Sequence, residues 1–520
     1  MYKLSQTIYQ LPRSSVSKIK LLALFLFRAE KESRWIIETK SKPINNPFDT
    51  PQKRIRYSRD DKGMSALFAD QNQHRCRWID ERNCWYIYTG KVWRPDKGGK
   101  GVFKFVREFV EDLVHRYSQL YQGDEYVSWI KFASKYCSLS KMNALRDLGA
   151  DLHMVSINDF DKNPKLLNLE NGTYNLKNGK FWHHRPEDLL TRIANVTYRH
   201  DACCHRWLKF IDEIMEQDAD KALFLQKALA YGLSGETNHE CFFVLYGNKT
   251  RNGKGTLMST IVNIMGSYSE VVQPESVMQK YKQGSTASPD IAKLKGARLV
   301  NISEPPRGSR FDEALMKQLT GRDPVTARFL NENEFTYTPQ FKIYINTNHR
   351  VVINDPTLIT SGRVREVPFN RTFEENEQDK GLKDYFQTDE AKAGILNWLL
   401  HGYRRMQQEG LKNPQSVEDS IKDYKAESDK VGQFKDEWLV EQSGAKTKIK
   451  DIYKTYESWC SDMGITPLGS LNFRKELELK GVDIRRSTGN QPFVYGYSLS
   501  CPCDNPFIDT DMSSTTPVNS

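Results

Sequence analysis

No run in this sequence is long and apolar enough to cross a bilayer. The longest such stretch near the start is LLALFLF, residues 21–27, far short of the roughly 20 residues a span needs. Arg28, Glu30 and Lys31 follow it, where a signal peptide would carry small cleavage-site residues, so it reads as a buried helical turn. The nine cysteines include no CxxC pair, and the ten histidines show no finger spacing. That excludes a zinc site or a disulfide framework and predicts reduced, structural thiols in a cytoplasmic protein. No internal repeat is present. With 38% hydrophobic and 27% charged residues, the chain is neither disordered nor membranous in composition.

What is present is positive charge. The formal net charge is +10 over 520 residues. Residues 1–60 hold thirteen Lys or Arg against five Asp or Glu, whereas 500–520 carry acids and no base. A basic balance suits a polyanionic partner such as nucleic acid. The length predicts two to four domains. Residues 1–62 read as a basic N-terminal segment, with a polar, Pro-containing linker over 40–62. From 63 to 205 aromatic residues alternate with polar ones. "RNCWYIYTGKVWRPD" predicts a hairpin turning at Thr89-Gly90, and "LLNLENGTYNLKNGKFW" predicts turns at Asn171-Gly172 and Asn178-Gly179. Such alternation marks a sheet core before it marks a base-stacking platform.

Residues 206–411 read as two lead-in helices, then strands alternating with helices, then a long amphipathic helix. That pattern predicts a mostly parallel sheet. The charged run 412–432 reads as a second linker. Residues 433–499 give helix, helix, hairpin, the order of a winged helix, and 500–520 form an acidic tail.

The chemistry concentrates in 206–411. "YGNKTRNGKGT" follows the apolar run 241–245. A strict phosphate-binding loop has four residues between its first glycine and the Gly-Lys pair. Here Asn248 to Asn252 put five between Gly247 and Gly253, and Gly255 stands where the metal-binding hydroxyl belongs. The context still predicts an anion site. A strand, a glycine-rich turn and a helix starting at Lys254 aim backbone N–H groups at phosphates, while the lysine reaches the β and γ oxygens. Gly247, Asn252, Gly253, Lys254, Gly255 and Thr256 are the candidate contacts. "ARLVNISEPP" ends in Glu304, placed to orient an attacking water and support a metal. "FKIYINTNH" ends in Asn348, a candidate γ-phosphate sensor. "SGRVREVPF" sets Arg363 before a strand, where ring ATPases carry an arginine that completes a neighbour's site.

Together these stretches, with "MKQLTGRDPVTARFL", resemble the superfamily 3 helicases, closely the primase-helicase family of phages, plasmids and poxviruses. "WYIYTGKVW" and "LENGTYNL" extend the resemblance upstream, so that it covers about 63–499. The resemblance implies a multidomain α/β protein: an AAA+-like P-loop core, a mixed α+β N-terminal domain and a C-terminal winged helix. It implies ATP and Mg²⁺ as cofactors, with Lys254 on phosphate, Thr256 and Glu304 at the metal, and Arg363 as the finger. It implies a homo-hexameric ring translocating 3′ to 5′ on single-stranded DNA. Duplex origin DNA, a separate primase and host replication proteins are the further partners. The expected DNA hairpin, residues 325–335, has Asn331-Glu332-Asn333 near its tip where a base is common, so Lys317, Arg328 or Lys342 substitute. In the winged segment Arg474, Lys475, Arg485 and Arg486 are candidate DNA contacts. Residues 1–62 offer no acidic triad and no zinc motif, so priming is expected of another chain. Two rivals stand beside this reading: a DNA-binding initiator whose ATPase only controls assembly, and a small-molecule P-loop kinase, against which the Lys317–Asp323 block argues.

Overall fold

The computed structural model describes residues 46–500 except 280–288, 331–333, 354, 356 and 487–490. The apolar run at 21–27 and the acidic tail lie outside the described residues. The chain divides into two compact units. The first takes residues up to 73 together with 97–154, and the second takes 74–96 and everything from 155 onward. Residues 63–205 therefore contribute to both.

The first unit is helical. Asp60 caps the helix Asp61–Asn72 by accepting from the Gly63 N–H at 2.8 Å, and Ser138 caps Leu139–Leu152. Phe68, Phe109 and Trp129 fill its interior, with the Trp129 indole donating to the Leu113 carbonyl at 2.7 Å. The presumed linker before it is not featureless: Thr50 caps a short helix, Pro51–Arg56. No described helix is long and apolar enough to cross a membrane.

The second unit opens with two antiparallel meanders. Cys76–Ile79, Cys84–Tyr88 and Trp93–Pro95 form the first, turning at the expected Thr89-Gly90. Leu166–Leu169, Gly172–Asn175 and Phe181–Trp182 form the second. Trp85 and Trp93 are buried, so the alternating aromatics are sheet core.

Within the central domain, β1 (Phe242–Tyr246) leads through the glycine-rich loop to α1 (Lys254–Met265). Then come β2 (Ser269–Val272), β3 (Leu299–Ser303), α2 (Glu313–Thr320) and the hairpin β4 (Val325–Ala327) and β5 (Phe335–Tyr337). β6 (Lys342–Thr347) and β7 (Val364–Pro368) complete it. Five strands make one parallel sheet in the order β7-β1-β6-β3-β2. Phe243 and Leu245 face one apolar layer and Phe242 and Val244 the other. Burial on both faces is why β1 reads as a continuous apolar run.

Two expectations need correction. The charged run 412–432 is no linker: Gln415–Ser428 is a helix that buries Val417, Ser420 and Tyr424, with the Tyr424 hydroxyl donating to the Val351 carbonyl at 2.6 Å. Lys342 is no surface DNA contact. It is 2% exposed, and its ammonium donates to the carbonyls of Ser234, Glu236 and Gln340.

Arg298 plays a related structural part. It is 1% exposed, lies 4.3 Å over the Tyr268 ring, and donates to the Leu233 and Leu166 carbonyls at 2.6 Å each. Arg298→Ala would leave both carbonyls buried and unpaired, at a cost on the order of 3 kcal/mol. Urea unfolding reads this directly, and a change below about 0.5 kcal/mol, the range of an ordinary surface substitution, would contradict it.

The end of the chain is a compact α/β segment. Lys430–Trp438, the strand Leu439–Lys448, Ile449–Asp462 and Ser470–Leu479 precede the hairpin Asp483–Arg486 and Pro492–Leu499. Leu439–Lys448 adds a third strand to that hairpin.

Candidate functional site

The loop after β1 is built for close approach. Gly253 has φ +84°, and a Cβ there would run into Ile214, so glycine alone fits. Asn252 is buried and its amide donates to the Lys249 carbonyl at 2.7 Å, closing the loop on itself. A Cβ on Gly247 would crowd Asn252 and the Phe369 carbonyl. Position 255 is exposed, with open space where a Cβ would point.

The Lys254 ammonium donates to the Gly247 carbonyl at 3.2 Å and to Asn348 Oδ1 at 2.9 Å. Asn348 follows the last residue of β6, the strand between β1 and β3. Burial pushes the Lys254 pKa down to about 8, and the nearby Glu304 carboxylate opposes that shift. Three tips of one sheet edge thus meet: the loop after β1, the turn after β6 and the acid after β3.

Glu304 is exposed and has φ +53°. Arg251 in the loop has φ +57°. Left-handed backbone at non-glycine residues costs free energy and gathers at sites where geometry matters. Thr256 lies on the first turn of α1 and lines a cavity of about 530 Å³. Among the described residues no three His, Cys, Asp or Glu side chains gather as a metal cluster. One hydroxyl and one carboxylate suit Mg²⁺, which takes one or two protein oxygens and fills the rest with water and phosphate.

The cavity beside Gly253 and Thr256 was not foreseen from sequence. Phe210, Phe373 and Leu382 give it apolar wall, and its charges are of both signs, with Arg206 paired to Glu213 and Arg371 to Glu377. Phe373 N–H donates to the Arg251 carbonyl at 2.9 Å, which ties the segment after β7 to the loop. No local pattern marks these residues, because helix His205–Ile214 and the post-β7 segment meet only in the fold.

Arg363 sits apart from this cluster. It precedes β7, whose Val364 pairs with Phe242 and whose Pro368 pairs with Tyr246. It therefore lies about 17 Å of strand away from the loop end of the sheet. There it donates to Glu240 Oε2 at 3.0 Å and to Thr320 Oγ1 at 3.1 Å. Thr320 belongs to the "KQLTGRDP" block, which gives that block a structural task.

The DNA candidates are dispersed. The hairpin forms as expected, pairing Val325 with Tyr337 and Ala327 with Phe335, and Arg328 stands partly exposed on it. Its residues 331–333 lie outside the described residues. Lys317 is held by Asp355 at 2.5 Å and Thr357 at 2.9 Å. In the last segment Arg474 pairs with Glu478 and Arg485 with Asp483, while Lys475 and Arg486 are exposed.

Comparison with known proteins gives three ordered matches. A "D5 N terminal like" family model matches residues 65–216. A family of unknown function, DUF5906, matches 245–363, and a "Poxvirus D5 protein-like" model matches 426–480. The protein named "Putative helicase L207/L206" of Acanthamoeba polyphaga mimivirus is 27% identical over 323 residues, covering 58% of this chain and 34% of its own length. The African swine fever virus protein named "Putative primase C962R" (isolate Warthog/Namibia/Wart80/1980) is 22% identical over 356 residues, covering 62% and 36%. The chain thus spans about a third of these two relatives. The apo structure of the NrS-1 C-terminal region superimposes with TM-score 0.47 at 10% identity, covering 81% of this chain and 96% of that one. Its matched segments make this chain similar to poxvirus D5-type proteins over residues 65–216 and 426–480, and to helicase- and primase-named proteins of large DNA viruses.

Proposed function

We propose that the chain is an ATP-driven DNA helicase of a replication system, working as a ring of copies. One observation carries this: the Lys254 ammonium bridges the loop and Asn348 beside the Glu304 carboxylate. Those parts are what phosphoryl transfer to water requires. Backbone N–H groups at the start of α1 and Lys254 hold the phosphates. Thr256 and Glu304 would hold Mg²⁺, which when bound would supply charge neutralisation at the phosphate oxygens. Glu304 orients the attacking water.

Phosphate competes with Asn348 for the lysine, so nucleotide state changes the turn after β6. β6 in turn follows β5 of the hairpin by four residues, 338–341. A shift at the nucleotide therefore has a short rigid route to the element proposed to grip DNA. Helicase- and primase-named relatives support a replication role. We assign this chain the helicase step, moving 3′ to 5′, with priming performed elsewhere. The test is phosphate release with Mg²⁺ and ATP, with and without single-stranded DNA. Hydrolysis stimulated by DNA is expected, and none under either condition would overturn the reading.

The lowered Lys254 pKa adds a pH signature. Its ammonium is present below about pH 8 and is lost as pH rises through that value. Phosphate binds the charged form, so affinity for a fluorescent ATP analogue should hold up to about pH 7.5. Above pH 8 it should fall by up to about tenfold per unit. A flat profile to pH 9.5 would contradict this.

We further propose that the C-terminal segment is a winged helix that reads duplex DNA, with Arg474 and Lys475 on bases and Arg485 and Arg486 on phosphates. Arg485→Ala with Arg486→Ala should weaken binding to all duplexes and flatten the salt dependence by roughly two units of slope. Unchanged slope in a binding titration would remove the wing from the DNA path.

A further inference from the structure

A second cationic centre lies away from the phosphate loop. A cavity of about 440 Å³ is lined by the first meander, the segments 157–162 and 191–192, the turn before β3 and the base of the β4–β5 hairpin. Six of its lining side chains are Lys or Arg, and one is an acid. That acid, Asp161, is buried and turned inward, accepting from both the N–H and the hydroxyl of Thr191. The lining keeps a surplus of cations, although Arg192 pairs with Glu270 at 2.7 Å, Lys293 with Asp290 at 3.7 Å and Lys162 with Asp159 at 3.6 Å. Burial, with Arg82 adding to it, lowers the Lys295 pKa, while Asp161 and Glu81 oppose the shift.

The same wall is aromatic. Phe329 and Phe335 stack with centroids 5.8 Å apart and planes 25° from parallel. The Arg82 guanidinium lies 5.1 Å from the Phe329 centroid, and the Lys295 ammonium 5.7 Å from that of Phe335. Arg94 and Lys162 are exposed on the rim. Cations interleaved with π-faces are how single strands are held without regard to sequence, phosphates on the charges and bases on the rings. A core cluster needs the rings but not the surplus charge.

We propose that this cleft is a binding site for single-stranded DNA, with phosphates on Arg82, Lys295 and Arg94 and a base on the Phe329–Phe335 pair. The proposal rests on the helicase reading for its ligand, but it needs no nucleotide hydrolysis. It places a strand against the base of the hairpin, where motion of β6 would act on it.

The test uses the full chain without ATP. Anisotropy of a labelled oligo(dT) is measured across a salt series for the parent, for Arg82→Ala with Lys295→Ala, and for Arg94→Glu with Lys162→Glu. The second pair changes rim charges that the fold does not need. Each pair should weaken binding about tenfold or more; the first should reduce the salt slope by roughly 1.4, two single-strand contacts' worth, and the second by at least roughly 0.7, the one contact of Arg94. An oligonucleotide carrying 5-iodouracil should crosslink to Phe329 or Phe335. Thymidine monophosphate at equal nucleotide concentration should not displace the strand. Unchanged affinity and slope in both folded variants would overturn the site, as would crosslinks mapping only elsewhere. Equal displacement by the mononucleotide would overturn the strand in favour of a free-nucleotide pocket. Should the chain lack ATP hydrolysis yet crosslink at Phe329, the cleft stands and the helicase reading falls.

Discussion

Lys254→Ala should bring ATP hydrolysis down by on the order of 10³-fold or more while leaving the chain folded. The ammonium has two tasks that no neighbour can take over. It lies buried between the Gly247 carbonyl and Asn348 Oδ1, so it is already positioned where phosphate oxygens would come. Its partial desolvation strengthens its pull on an anion, since little water competes. Removing it leaves one amide oxygen and one carbonyl without a donor at the mouth of a cavity, a small cost in stability. Phosphate release together with circular dichroism separates the effects. Near-normal turnover in a folded variant would remove the loop from the chemistry.

Arg363→Ala should also cost on the order of 10³-fold in turnover, the scale of a lost arginine finger, although Arg363 lies far from its own Lys254. Position is the argument. The residue sits at the start of β7, at the opposite sheet edge from the loop, latched to Glu240 and Thr320. A guanidinium that serves its own site from there would have to cross the sheet, whereas a neighbouring copy in a ring can present its loop to it. Mixing inactive Lys254→Ala and Arg363→Ala chains should therefore restore part of the activity, because some interfaces regain both groups. Absence of recovery at every ratio, with mixed assemblies shown by mass, would argue that Arg363 acts only within its own chain. Glu240→Gln separates latch from finger: freeing the arginine should preserve turnover where Arg363→Ala does not.

Much of the site was legible because its parts are local. The "GNKTRNGKGT" loop, the strand it follows and the helix it opens are contiguous, so the strand–loop–helix arrangement was legible despite the extra residue. Glu304 and Asn348 were legible as polar residues ending apolar runs, which is how a strand tip reads. The folded chain adds that the two strands are neighbours and that Asn348 meets the lysine. Elements with weak patterns were missed. β2 is only four residues, SEVV, at the sheet's edge with Val271 exposed. Leu439–Lys448 is polar and largely exposed, and its pairing shifts register between Glu441 and Lys446. Gln415–Ser428 hid its buried residues in a charged run. Lys342 was misjudged because a lysine beginning a strand looks solvated. Its burial depends on three carbonyls, two of them from a loop more than 100 residues earlier. The division of 63–205 between two units could not be read, since periodicity reports an element's face and not its distant partner.

The most direct measurement is strand separation on a forked duplex, followed by fluorescence as ATP is added. The parent chain should release the labelled strand only with ATP and Mg²⁺, require a 3′ single-stranded tail, and lose this activity with Lys254→Ala. ATP hydrolysis stimulated by DNA but with no strand released from any fork would contradict a helicase and leave an ATPase that governs assembly on DNA.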